Sequence, residues 1–232
     1  MQRRTFLSTP ALLAAAILPA VHAQTIETAK AENTPMKILI LGASGSLGPA
    51  VIDALTQKSA RSNVQLRLFA RDAKRVQRFK SDNVEIVQGD ALDTKALTAA
   101  LAGCNAVYAG LAGELDKLAR SVIAAMNAAN VRRLVWISSY GIHSDVPDGT
   151  KAPAAYISSA KIIMDSGLDY TVIRPQWFSS ADEINYETTS WSAGEMFKNP
   201  SSKISRKSIA DLVARCIFEN FGVRDSLGIN RT

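Results

Sequence analysis

Three glycines spaced three apart, in Gly42-Ala43-Ser44-Gly45-Ser46-Leu47-Gly48, follow the apolar run Ile38-Leu39-Ile40-Leu41 and precede a stretch with helical spacing. Few residues suit a strand that must turn at once into a helix. Glycine lets the backbone turn tightly, admits a pyrophosphate close to the main chain, and lets helix and strand pack together. Backbone N–H groups at a helix start have no intrahelical partner and sit at the positive end of the dipole, so a phosphate supplies both acceptors and matching charge. The turn therefore reads as a dinucleotide phosphate cradle formed by Gly42, Ser44, Gly45, Ser46, Leu47 and Gly48, with the two serines adding hydroxyls.

Beyond the turn, short runs rich in Val, Ile and Leu alternate with longer stretches at helical spacing. Parallel strands need such crossovers, because a strand cannot turn directly back into a parallel neighbour. Strands are expected at 37–41, 64–70, 84–88, 106–109, 133–138 and 170–173, with a short one near Leu227. A helix over 114–130 carries Leu115, Leu118, Ala119, Val122, Ile123 and Met126 on one face, and another from Ala154 stops at Gly167, a residue suited to a left-handed cap. The expected fold class is α/β: a single Rossmann-like, doubly wound parallel sheet with helices on both faces, spanning 36–232. Tyr186 to Lys198 reads as a loop and as the place where substrate specificity resides.

The second strand ends at Arg71, some twenty residues past the turn. An acidic residue there would accept the ribose hydroxyls of NAD, whereas arginine suits the 2'-phosphate of NADP, so NADP(H) is favoured over NAD(H). Asp72 follows directly and weighs the other way; Lys74 and Arg75 reinforce a phosphate site if the next segment turns them inward. After the third strand, Gly89-Asp90-Ala91-Leu92 places Asp90 and Ala91 by the adenine edge, with Asp93 suited to cap the next helix.

Composition removes other chemistries. Only His22 and His143 are present, and Cys104 and Cys216 lie far apart without CxxC spacing, so no metal site is expected and both thiols read as buried and free. The basic stretch from Arg67 to Lys80 is interleaved with apolar residues and reads as a solvated face, not a nucleic-acid surface. His143 near Ser138 and Ser139 suggests a hydrolase triad, but there is no Gly-x-Ser-x-Gly elbow.

Residues 1–23 read as an export signal. Arg3 and Arg4 precede an apolar stretch from Ala11 to Ala20, and Val21-His22-Ala23 offers small residues at the cleavage offsets. The run Arg3-Arg4-Thr5-Phe6-Leu7 resembles a twin-arginine signal, which exports folded proteins, so a periplasmic location is expected, with translation from Met36 as the cytoplasmic alternative. Residues 24–35 then form a polar linker. The leader's apolar core falls well short of the roughly 20 residues that span a bilayer, so no stable membrane insertion is expected. The net charge of +6 includes those two arginines.

Gly42 to Gly48, Gly89-Asp90, Ile137-Ser138-Ser139-Tyr140-Gly141-Ile142 and Ser166-Gly167-Leu168-Asp169-Tyr170-Thr171-Val172-Ile173-Arg174-Pro175 together resemble the atypical short-chain dehydrogenase/reductase superfamily, in its NAD(P)H-binding, NmrA-like branch, over 36–231. The resemblance implies that Ala109, Gly110 and Leu111 line the ribose and phosphates, that Ser138 and Ser139 lie beside the nicotinamide, and that Pro175 borders that pocket. The superfamily's tyrosine and lysine normally stand four apart on a helix; here Tyr156 and Lys161 stand five apart, about 140 degrees around the helix instead of about 40. The catalytic candidates are Ser138, Ser139 and Lys161, with Lys161 also a ribose ligand, and Tyr140 and Tyr156 as weaker acids. The expected partners are a dinucleotide and a small-molecule substrate. Two functions remain open: a reductase passing hydride to a flat flavin or quinone packed against Trp177 and Phe178, and a dinucleotide-binding sensor without turnover; a sugar-nucleotide epimerase ranks below both.

Overall fold

The computed structural model describes residues 35–59 and 63–232, so the expected leader and nearly all of the expected linker lie outside the described residues. β1 (Met36–Leu41) runs into the glycine turn and then α1 (Gly48–Ser59). There follow β2 (Val64–Ala70), a short 3-10 helix (Ala73–Phe79), β3 (Val84–Gln88), α2 (Thr94–Ala100), β4 (Ala106–Ala109) and α3 (Leu115–Ala128). Next come β5 (Arg133–Ile137), α4 (Ala154–Met164), β6 (Asp169–Pro175), β7 (Phe178–Ser179), β8 (Glu187–Ser190), β9 (Ile204–Ser205), α5 (Arg206–Phe218) and β10 (Asp225–Asn230).

The main sheet has the order β3-β2-β1-β4-β5-β6-β10-β8, parallel throughout except for β8, which runs antiparallel to β10. Strand order therefore reverses between β1 and β4, whose pairing matches Leu41 with Ala109. In open α/β sheets the crevice beyond the carboxyl ends at such a switch point is where ligands bind.

Near-continuous apolar strands are what a sheet covered on both faces requires. Ile38 and Ile40 of β1 point to a core shared with α1 and α5, while Leu39 and Leu41 point to one shared with α2, α3 and α4. The apolar stripe of α3 (Leu115, Leu118, Ala119, Val122, Met126) is buried as its spacing predicts. Helix α4 ends at Met164, and Gly167 adopts φ +71 just before β6.

The stretch expected to be a loop, 186–198, is instead partly a strand. Thr188 and Thr189 are β-branched, and β8 covers what would be a bare sheet edge at β10. Gly228 of β10 makes room for it: a Cβ there would lie 2.4 Å from Thr189 Oγ1 and 2.6 Å from the Phe197 ring. Strands β7 and β9 form a separate parallel pair of two residues each, and β6 extends to Pro175 because Ser138 and Tyr140 continue to donate to Ile173 and Pro175 carbonyls. Among the described residues no helix is long and apolar enough to cross a membrane, and Cys104 and Cys216 are buried and unpaired.

Candidate functional site

A cleft of about 440 Å³ opens at the β1/β4 switch point. It is lined by Gly42, Ser44 and Gly45 from the glycine turn, by Arg71 and Arg75 after β2, by Asp90, Ala91 and Leu92 after β3, and by Gly110 and Leu111 after β4, over a floor that includes Phe69. Residues more than sixty positions apart thus converge because four parallel strands end at the same edge.

The glycines divide their work. Gly42 has φ +87, and a Cβ on it would lie 2.0 Å from the Gly110 carbonyl oxygen, so β1 and β4 can end this close only without a side chain there. Gly48 meets the Ala43 carbonyl in the same way, at 2.3 Å, which is the close approach of helix to turn. Gly45 is different. A Cβ there would press on Gly42 O at 3.1 Å and come no nearer than 3.9 Å to Gly110 O, so apart from that one carbonyl the space beside the turn is open. An open cradle at a helix start, flanked by cations, fits a dinucleotide diphosphate. Leu47, by contrast, sends its side chain into the core and offers the site only its backbone.

Arg71 and Arg75 reach the cleft from the segment after β2, whereas Asp72 is turned to cap the 3-10 helix and accepts from Lys74 N at 3.0 Å. Across the cleft, Asp90 accepts from Leu92 N at 3.0 Å and Asp93 caps α2 through Ala96 N, so Asp90 shapes the 90–92 turn that faces the cavity. Gly89 has to be glycine because Phe69 packs its ring where a Cβ would stand, at 2.4 Å. Ala109 is fully buried beneath the cleft and does not line it.

The residues expected at the nicotinamide end lie beyond this cleft. Ser138 is buried at the end of β5 with its hydroxyl directed to the Tyr156 carbonyl at 3.5 Å; Ser139 is half-buried and Pro175 is buried. Tyr156 packs against the core on α4, while Lys161 projects into solvent with its ammonium 2.7 Å from Asp165. The five-residue spacing has the consequence expected of it: the two side chains occupy different faces. Tyr140 donates to Asp148 at 2.7 Å, and burial together with that bond raises its pKa well above the ordinary phenol value.

Of the two aromatics after β6, Trp177 is 84% exposed. Phe178 is half-buried under the guanidinium of Arg206.

The segment after β5 is fastened by a polar cluster that sequence reasoning did not foresee. Arg174, fully buried, donates from Nη1 to both oxygens of Asp145 at 2.8 and 2.6 Å and from Nη2 to Ser226 O at 3.1 Å. His143 shares a hydrogen with Ser226 Oγ at 2.9 Å and stacks on Trp191. Burial, then the nearby Arg174 charge, pushes the His143 pKa down to about 4. That histidine is neutral and structural at neutral pH, and it has no nucleophile-base arrangement with Ser138. Among the described residues no group of three or more His, Cys, Asp or Glu side chains is placed to hold a metal.

Residues 42–220 match the model of the NAD(P)H-binding family. A Rossmann-fold NAD(P)-binding family protein from Shigella flexneri is 36% identical, with a TM-score of 0.74 over 85% of this chain and 94% of that one. A wide-type short-chain dehydrogenase/reductase from Veillonella parvula DSM 2008, solved in complex with NADP, has a TM-score of 0.73 at 21% identity, covering 85% and 95% of the two chains, and is a likeness of fold. Quinone oxidoreductase 2 of Escherichia coli (strain K12) is 32% identical over 145 residues, 61% of this chain and 49% of that protein. The chain spans about half the length of the curated relatives it matches. It belongs to the NAD(P)H-binding family of atypical short-chain dehydrogenases/reductases.

Proposed function

From that membership we propose that the protein is an NADP(H)-dependent oxidoreductase that passes hydride to a small, flat acceptor of the flavin or quinone class. The observation that carries the reading is the convergence of the open Gly45 cradle with Arg71 and Arg75 in one cleft. Two guanidinium groups without a described carboxylate partner suit the 2'-phosphate of NADP, and the acidic residue next to Arg71 in sequence, Asp72, is committed to its cap. In this reading Gly42, Ser44, Gly45, Ser46, Leu47 and Gly48 form the diphosphate cradle, with Gly45 N and Gly48 N shaping it by donating to Gly42 O and Gly45 O within the turn. Asp90 and Ala91 flank the adenine; Ala109 supports Gly110 against the ribose; Ser138, Ser139 and Pro175 border the nicotinamide.

Bound NADP(H) supplies the hydride. The chain's own contribution is positioning, since no tyrosine-lysine pair shares a face and Tyr140 is tied to Asp148. A flavin or quinone needs little more, because it accepts hydride without a strongly acidic partner. The similarity to a quinone oxidoreductase supports this acceptor class, and exposed Trp177 offers a flat face for it. The hydroxyls of Ser138 and Ser139 would polarise an acceptor carbonyl, and Lys161 would reach the ribose by leaving Asp165.

A second reading, dinucleotide binding without turnover, is favoured by the separation of Tyr156 from Lys161. NADPH oxidation by the purified full chain, followed at 340 nm against a panel of flavins and quinones, separates the two. Consumption of NADPH only when an acceptor is present is the expected result; saturable NADPH binding with no acceptor reduced would hand the case to the sensor reading.

A further inference from the structure

Arg206 is the first residue of α5, and the β7–β9 pairing places it against the segment that follows β6. Its guanidinium makes a contact that no sequence distance suggests. Nε and Nη2 both donate to Ser46 Oγ, at 3.0 and 2.9 Å, so a residue 160 positions away grips the glycine turn. The third arm, Nη1, donates to Ser179 O at 2.9 Å and approaches Ser180 Oγ at 3.4 Å, and the plane lies 5.4 Å from the Phe178 ring centroid.

Every polar partner of this cation is neutral. Lys207, its neighbour, is paired with Asp182, but no carboxylate among the described residues forms an ion pair with Arg206. The Nε/Nη2 edge is the one that engages two oxygens of a phosphate or carboxylate side by side. Here that edge converges on a single hydroxyl oxygen. It is held there by a carbonyl and an aromatic face on its other side, so it is pre-aimed at the diphosphate turn and electrostatically unsatisfied. Ser46 itself is exposed at the mouth of that turn.

We propose that Arg206 is a ligand of the dinucleotide diphosphate, reaching the glycine turn at Ser46. The inference rests on the dinucleotide reading of the cleft. It adds a side-chain cation to a site otherwise built of backbone N–H groups. Because the same guanidinium holds Ser179 O, it also ties cofactor occupancy to the segment carrying Trp177.

The test compares two fragments by calorimetry on the full chain: 2'-AMP, which has the adenosine and its 2'-phosphate, and 2'-phospho-ADP-ribose, which adds the diphosphate. Arg206→Ala should weaken 2'-phospho-ADP-ribose roughly ten- to a hundred-fold and leave 2'-AMP within about twofold, with a shallower salt dependence for the larger ligand. Arg206→Lys keeps the charge without the fork and should fall between. If Arg206→Ala does not fold, the loss in Arg206→Lys, confined to the diphosphate ligand, serves in its place. Equal weakening of both ligands would mean a structural role only, and no weakening of either would mean that the cation faces something else; each overturns the proposal while leaving the dinucleotide reading intact. If the unmodified protein binds neither fragment, both fall together.

Discussion

Gly42 and Gly45 look alike in the sequence and differ in what a methyl group would do. At Gly42 the Cβ would collide with the Gly110 carbonyl, and φ is +87, so Gly42→Ala is expected to cost on the order of 2–4 kcal/mol of stability, seen as a lower unfolding midpoint in urea. At Gly45 the Cβ would press only on the Gly42 carbonyl oxygen, at 3.1 Å against 2.0 Å for the clash at Gly42, so Gly45→Ala should lower that midpoint much less than Gly42→Ala does and weaken NADPH about tenfold or more by occupying the diphosphate's space. The reverse pattern, a stable Gly42→Ala and an unfolded Gly45→Ala, would refute this division. The glycine spacing and the distance to Arg71 were readable in the chain because both lie within one βαβ unit. Gly110 came from the family resemblance and not from spacing, and the Phe69–Gly89 contact and Arg206 were not readable, because only the tertiary fold brings such distant residues together.

At the scale of elements, strands and helices longer than one turn could be read from periodicity, whereas β7, β8 and β9, of two to four residues, could not. The edge strand β8 and the loop after β5 owe their placement to the Arg174–Asp145 pair and to His143 stacked on Trp191, both made across distant segments. This joint is pH-sensitive. His143 in the fold titrates near 4, below the ordinary histidine value of about 6.5, so the unfolded chain binds the extra proton first. Its contribution to stability is complete above about pH 6.5 and is lost as pH falls toward 4, by on the order of 2 kcal/mol. His143→Gln should therefore flatten the acid limb of a stability-pH curve between pH 6.5 and 4 relative to the unmodified protein. An unchanged slope would show that His143 is not held neutral by the fold.

For the molecule as a whole, a doubly wound sheet was implied by alternating short apolar runs and helical spacing, and the order 3-2-1-4-5-6 seen in the structure places its switch point, with a crevice there, between β1 and β4. The glycine turn, Arg71, Asp90 and Gly110 meet there because each lies within two residues of the end of one of the four neighbouring strands β1 to β4. The nicotinamide end was less legible, since Ser138 and Ser139 follow β5 and Pro175 ends β6, beyond the four strands that border the cleft. The most direct test of the central claim is a fluorescence titration of NADPH and of NADH into the unmodified protein and Arg71→Ala. Saturable NADPH binding that weakens about tenfold or more in Arg71→Ala, with NADH little changed, is the predicted result. An absence of saturable binding, or an equal loss for both nucleotides, would contradict it.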